Sequence, residues 1–383
     1  MRLVIAPDSF KESLTAAEVT AAVAEGVRRS CPEATIDACP MADGGEGTVA
    51  AMVAATSGEI RTARVAGPLG EYLQAEFGLL GTTAGSPGRT TAVIEMAAAS
   101  GLDLVPTRLR DPMLTTTYGT GELIVAALEA GATDILIGIG GSATVDGGCG
   151  CAQAVGVAFA DADGNPCVCG LAGGGLPTVH RIDMSRRDPR IAGARIRVAC
   201  DVTNPLTGPR GAAAVYGPQK GATPEMVRQL EAGLAHLAEV IRRELTIDVE
   251  DLPGAGAAGG LGAGLVAFLG AELQRGVEIV ADAVGLRDRL AAADLCITGE
   301  GSFDAQSLSG KTAVGVARVA RELCVPTICI PGQAEPGLDD GGLFAAVRPL
   351  VAGDVTVADS MRRPGELLTA RAGEAMREFL AGH

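Results

Sequence analysis

Tryptophan is absent from the 383-residue chain, and aromatic residues make up only 3% of it. A core built on aromatic stacking is therefore excluded, and the apolar mass must come from Ala, Val, Leu and Ile. Charged residues are also sparse, at 20%, and unbalanced: 46 acidic side chains face 31 basic ones, a formal net charge of −15. So negative a surface repels phosphodiester backbones and anionic headgroups, and neither nucleic acid nor a membrane is an expected partner. A local basic pocket can still take an anionic substrate against the global field. No apolar run approaches the roughly 20 residues of a membrane span. The opening MRLVIAPDSF stops at Pro7 and Asp8, which reads as a first strand and not as a signal peptide. A soluble, cytoplasmic protein is expected.

What is abundant points to a layered core. The chain is 47% hydrophobic and carries 54 glycines, so many tight turns join its elements. Its length suits two domains. The ten cysteines read as small buried hydrophobes rather than a disulfide framework. Cys149/Cys151 and Cys167/Cys169 form two C-x-C pairs, tighter than the C-x2–4-C spacing of structural zinc sites, which argues against zinc.

Short apolar strands alternate with Ala-rich helical patterns. Strands are expected at Leu3–Ala6, Thr35–Met41, Val93–Met96, Asp134–Ile139, Ile196–Ala199, Asp294–Thr298 and Thr327–Ile330, and helices at Leu14–Val27 and Glu122–Glu129. Lone β-branched strands between helices predict parallel sheets in an α/β protein. Several strands end in small residues followed by polar ones: PDSF, MADGGEG, GIGGS, CDVTN and TGEGSFD. Ligands in open parallel sheets bind beyond the carboxyl ends of the strands, so five polar ends point to one shared site. The Gly-rich run 254–264 lies between apolar helical segments and reads as a close-packed turn.

Each end offers its own chemistry. APDSFKESLTA brings Asp8, Ser9 and Lys11 together, a set suited to a small polar anion; a turn with a solvated lysine is the alternative. MADGGEGT sets Asp43 and Glu46 around two glycines, as for a metal or a base, or for helix capping by Asp43. IGIGGSATVDGG exposes backbone N–H groups at Gly140, Gly141 and Ser142 ahead of a helix start, a cradle for phosphate. It departs from G-x-G-x-x-G, and Asp161 and Asp163, near the spacing of a ribose acid, sit in a polar loop, so a dinucleotide is the weaker reading. CDVTNPLTGPRGA supplies Asp201, Asn204 and Arg210, and Lys220 follows in YGPQKGA. GEGSFDAQSLSGKT contributes Glu300, Asp304 and Gln306. It ends like a P-loop, but Ala305 stands where that loop requires glycine, which argues against one.

These blocks, with GAGAAGGLGAGL, resemble the signature segments of the type I glycerate kinase family, in the same order and over nearly the whole chain. The resemblance implies ATP-dependent phosphorylation of D-glycerate to 2-phosphoglycerate, with 3-phosphoglycerate as the alternative product; an NAD-dependent hydroxy-acid dehydrogenase stands as a rival reading that the multi-block match opposes. The resemblance also implies a discontinuous Rossmann-like domain from both chain ends (1–66 and 285–383), an inserted α/β domain (67–284), and an active site in the cleft between them; a monomer or homodimer fits. On that reading Lys11, Arg210 or a helix N-terminus holds the glycerate carboxylate, and Asp8, Ser9, Asn204, Asp304 and Gln306 line the substrate site. Asp201 is expected as base or metal ligand, with Asp43 as the other candidate base. Glu300 is a second expected ligand for Mg2+, while Gly140, Gly141, Ser142 and Lys220 hold the ATP phosphates.

Overall fold

A computed structural model describes residues 1–81 and 88–382. Two separate sheets carry the fold. The first has five parallel strands in the order Ala346–Val347, Thr327–Cys329, Leu295–Thr298, Arg2–Ile5, Thr35–Ala38. The second has six, in the order Glu272–Gln274, Arg195–Ala199, Asp134–Gly138, Thr91–Glu95, Tyr72–Leu79, Glu59–Ala66. Its first four are mutually parallel and the last two are added antiparallel. The strand Glu59–Ala66, expected with the first unit, pairs along its whole length with Tyr72–Leu79. Residues 59–66 therefore belong to the six-stranded sheet. Alternation hid this: Glu59–Ala66 is an edge strand with few buried side chains, and nothing in its own residues says which sheet it joins.

The helices follow from local signals. Helix Ala16–Ser30 begins at Thr15, whose side chain accepts from the Glu18 N–H while the Glu18 carboxylate accepts from the Thr15 N–H; Arg28 and Arg29 sit in its last turn. Its apolar face packs on the C-terminal helix Pro364–Ala381, where Gly26 and Gly373 let the two backbones close up. Helix Tyr118–Glu129 starts at Thr117, whose N–H and hydroxyl both donate to the buried Asp146 at 2.7 Å.

The two sheets do not stand apart. Val4 and Ala6 from the first share one apolar cluster with Val93 and Leu136 from the second, filled in by helices Thr48–Thr56 and Gly276–Ala283. Burying such side chains contributes roughly 1.5–3 kcal/mol each, so the contact fixes how the strand ends of one sheet face those of the other.

Candidate active site

The nine parallel strands of the two sheets end in loops, and most of those loops line two adjoining cavities among the described residues. One, near 430 Å³, lies at the ends of the six-stranded sheet and is lined by Gly140, Gly141, Ser142, Asp201 and Lys220. The other, near 470 Å³, lies at the ends of the five-stranded sheet and is lined by Asp8, Lys11, Glu300, Asp304 and Lys311. Asp43 and Gly45 line both.

Glycines make that junction. The chain leaves the strand Thr35–Ala38 and crosses the ends of the second sheet at residues 43–47. A methyl on Gly44 would stand 2.4 Å from Ala199 Cβ, and one on Gly138 would stand 2.3 Å from the Gly44 carbonyl oxygen. Helix Gly276–Ala283 arrives from the other side. A methyl on Gly276 would lie 1.7 Å from the Asp43 carbonyl oxygen and 3.2 Å from Asp201 Oδ2. The Gly276 N–H donates to Asp201 Oδ1 at 2.9 Å. Bare backbone at 276 is what lets Asp43 and Asp201 approach.

Burial then sets the charges. Asp8 is pushed up to about 6 by burial and by the Asp43 charge, although the Thr312 hydroxyl and the Ser9 N–H donate to it. Glu300 is pushed up to about 7, chiefly by burial and then by Asp8 and Asp304, against the opposing effects of Ser307 and Lys311. Glu300 is only 7% exposed, and its Oε1 has no hydrogen-bond partner. A buried carboxylate oxygen without a partner, in a residue that lines a polar cavity, is an acceptor available to a ligand. Asp201 is raised by burial and by Asp43, and held down by the Gly276 N–H and by Arg275. Lys220 is fully buried; its Nζ donates to Ser142 Oγ and to the Thr144 carbonyl, both at 2.7 Å. Burial brings it down to about 7 despite the nearby Asp146.

Five residues expected at one site, Asp8, Asp43, Ser142, Asp201 and Glu300, thus line one pair of adjoining cavities. Ser9, Lys11 and Asp304 join Asp8 and Glu300; Gly140, Gly141 and Lys220 join Ser142. Three others line neither cavity. Asn204 closes its own turn, donating to the Arg210 carbonyl at 2.7 Å and accepting from Tyr216 Oη at 2.8 Å. Arg210 is exposed, and Gln306 is exposed beside Lys311. Asp201 and Glu300, expected to share a metal, line different cavities. No group of three or more His, Cys, Asp or Glu side chains with metal-holding geometry occurs among the described residues. The hard oxygen donors that do line the junction fit Mg2+, which is held by one or two carboxylates plus substrate phosphates and keeps several waters.

Sequence reasoning missed three contributors. Glu95 ends the strand Thr91–Glu95 and accepts from the Val49 N–H at 2.8 Å, tying helix Thr48–Thr56 and the loop before it to the second sheet. Its signal was visible, an acid at a strand end. Gly276 and Thr312 had none, since their role comes only from what the fold brings against them.

Two α/β lobes whose strand ends open on a shared polar junction, with a glycine cradle on one side and acids on the other, define a small-molecule transferase of the cleft type. The sequence profile of the Glycerate kinase family matches residues 3–380. The glycerate 2-kinase of Escherichia coli (strain K12) is 55% identical over 333 residues, covering 87% of this chain and 85% of that one. The glycerate kinase of Halalkalibacterium halodurans is 50% identical over 369 residues, covering 96% and 95%. A crystal structure from Salmonella typhimurium LT2, provisionally assigned there as a glycerate kinase 2, superposes with a TM-score of 0.90 at 49% identity, covering 100% of this chain and 99% of that one. The chain belongs to the glycerate kinase family.

Proposed function

We propose that the protein transfers the terminal phosphoryl group of ATP to the 2-hydroxyl of D-glycerate, giving 2-phosphoglycerate. The observation that carries the reading is the pair of cavities meeting at Asp43 and Gly45. The cavity bounded by Leu102, Ile139, Ala257 and Ala258 has apolar walls for a nucleoside, and its glycine turn offers amides to the phosphates. The other has two lysines and several carboxylates, which suits a three-carbon hydroxy acid. Its carboxylate pairs with Lys11; Arg210 is exposed and lines neither cavity. The names of the relatives support glycerate as the acceptor, and that of the Escherichia coli protein supports the 2-position.

Phosphoryl transfer asks the protein for alignment and charge neutralisation more than for covalent chemistry. Glu300, protonating near neutrality, accepts the proton of the attacking hydroxyl. Asp8, which lines the same cavity and whose charge is felt at Glu300, orients the same hydroxyl. Asp43 and Asp201 would hold Mg2+, which neutralises the phosphate oxygens when bound with the nucleotide. Ser142, fixed by Lys220, keeps the glycine turn in place. A cytoplasmic location belongs to the same reading; among the described residues no helix is long and apolar enough to cross a membrane.

Phosphorus NMR of the product, with proton coupling, tests the reaction and its position together. A doublet from phosphate on the C2–H is expected. A triplet from phosphate on the C3 methylene would move the product to 3-phosphoglycerate, and no new phosphate ester at all would overturn the kinase reading.

A further inference from the structure

Outside the residues assigned above, one cluster is at odds with the acidity of the chain. The turn at Gly310 (φ +110°) is clasped by two guanidinium groups: a methyl built there would lie 2.9 Å from Arg275 Nη1 and 3.3 Å from Arg318 Nη1. Lys311 follows immediately and lines the acid-rich cavity. Three cations therefore surround one turn in a protein of net charge −15. Among the described residues, none of the three has a carboxylate within ion-pair distance. Among the described residues the Arg318 side chain donates only to the Leu308 carbonyl and that of Lys311 only to Gln306, while that of Arg275 makes no hydrogen bond.

The location gives the cluster a use. Arg275 ends the strand Glu272–Gln274 and precedes Gly276, the residue that holds Asp201 and lies against Asp43. Its charge is felt at Asp201 in one cavity, and that of Lys311 at Glu300 in the other. Arg275 thus reaches from the second sheet to a turn of the first, beside the junction of the two cavities. Of the three, only Lys311 lines either cavity; Arg275 adjoins Gly276, which packs against Asp43, a residue lining both.

We propose that Arg275, with Lys311 and Arg318 about the Gly310 turn, binds the phosphoryl group in transit between nucleotide and acceptor. Resting on the kinase reading given above, this assigns the transferring phosphate, and not the glycerate carboxylate, to the cluster. A planar guanidinium presents two parallel N–H donors to phosphate oxygens, and its stabilisation is largest when charge spreads over them in the transition state.

The test compares wild type with Arg275→Gln and Arg275→Lys, using Mg-ADP titrations by calorimetry and steady-state kinetics with ATP and D-glycerate. Arg275 is exposed, and melting temperatures within a degree or two of wild type are expected for both variants. Arg275→Gln should lower kcat about 10²- to 10³-fold and weaken ADP severalfold, with the glycerate KM within about twofold. Arg275→Lys, which keeps the charge and loses the fork, should recover part of kcat. Wild-type kcat and ADP affinity in Arg275→Gln would overturn the assignment, as would a rise confined to the glycerate KM, which would make the cluster a carboxylate site. Absence of phosphoglycerate from the wild-type reaction would instead defeat the kinase reading itself.

Discussion

Gly276→Ala puts the geometry of the junction to its hardest test. The added methyl would fall 1.7 Å from the Asp43 carbonyl oxygen and 2.4 Å from its carbon, both backbone atoms that no rotamer change can remove. Real contacts of this kind stop near 3 Å, so the two segments must part by more than an ångström. Asp43 follows its own carbonyl, while Asp201 is tied to the Gly276 N–H and moves with the helix. The substitution therefore separates the two carboxylates, and its methyl also crowds Asp201 Oδ2 at 3.2 Å. A misplacement of about 1 Å costs phosphoryl transfer on the order of 10²-fold in rate. Overpacking itself costs about 1–3 kcal/mol, so the protein should still fold. The assay is ADP release with ATP and glycerate, beside urea unfolding of the same preparation. Gly365→Ala is the matched control: nothing lies within 4 Å of the added methyl, and the site is in the first turn of the outer helix Pro364–Ala381. It should leave kcat unchanged and stabilise by a few tenths to about 1 kcal/mol. A Gly276→Ala enzyme within twofold of wild type in kcat would refute the account of how Asp43 and Asp201 are brought together.

Three further outcomes follow from particular groups. Wild-type kcat should rise with pH through about 7 as Glu300 ionises, and Glu300→Gln should be slow and flat over the same range. The same group acts oppositely on stability. Its folded form holds the proton above the ordinary carboxyl range, so its stabilising contribution is complete below the unfolded pKa near 4.5 and lost as pH rises through about 7; urea midpoints at pH 5.5 and 8.5 should show Glu300→Gln flattening that decline. Arg197→Met removes the guanidinium that binds Asp134 at 2.6 Å and Asp282 at 2.7 Å inside the second sheet, and should destabilise by about 3–5 kcal/mol in urea unfolding because Asp134 is buried. Lys220→Met leaves Ser142 Oγ and the Thr144 carbonyl without their donor, and should raise the KM for ATP about tenfold or more with little change in that for glycerate.

How much of this was legible in the residues depends on the range of the interaction that fixes each part. Seven of the nine parallel strands of the two sheets were, because β-branched runs between helical patterns leave few other arrangements, while the short edge strands Glu272–Gln274 and Ala346–Val347 were not; Asp8, Asp43, Ser142, Asp201 and Glu300 were, because each lies within five residues of a strand end. The run 254–264 was legible as a packed turn but not in its form. Ala258, Gly259 and Gly260 take three successive left-handed conformations, and a methyl on Gly259 would stand 1.9 Å from the Thr144 carbonyl oxygen that also receives Lys220. That proximity to a loop more than a hundred residues earlier is not written in either stretch. Arg210 drew notice as a lone arginine in a polar loop, yet there the polar groups satisfy one another locally.

Arg275 shows the same limit from the other side. In LQRGVE it is one charged residue at the end of a three-residue strand, with no pattern to single it out. It matters only if the turn at Gly310 folds back under it, and that turn is brought there by helix Thr312–Glu322 packing against helix Gly276–Ala283, where Gly315 meets Val277. The GKT that suggests a P-loop therefore has a phosphate argument after all, but a different one. Its glycine supplies a positive-φ turn narrow enough for arginines from two elements to close over, and its lysine faces the acids of the neighbouring cavity. A P-loop wraps phosphate in its own amides. Here the charge comes from side chains of both lobes, so the site is complete only when the lobes are held in register by the apolar cluster between the sheets.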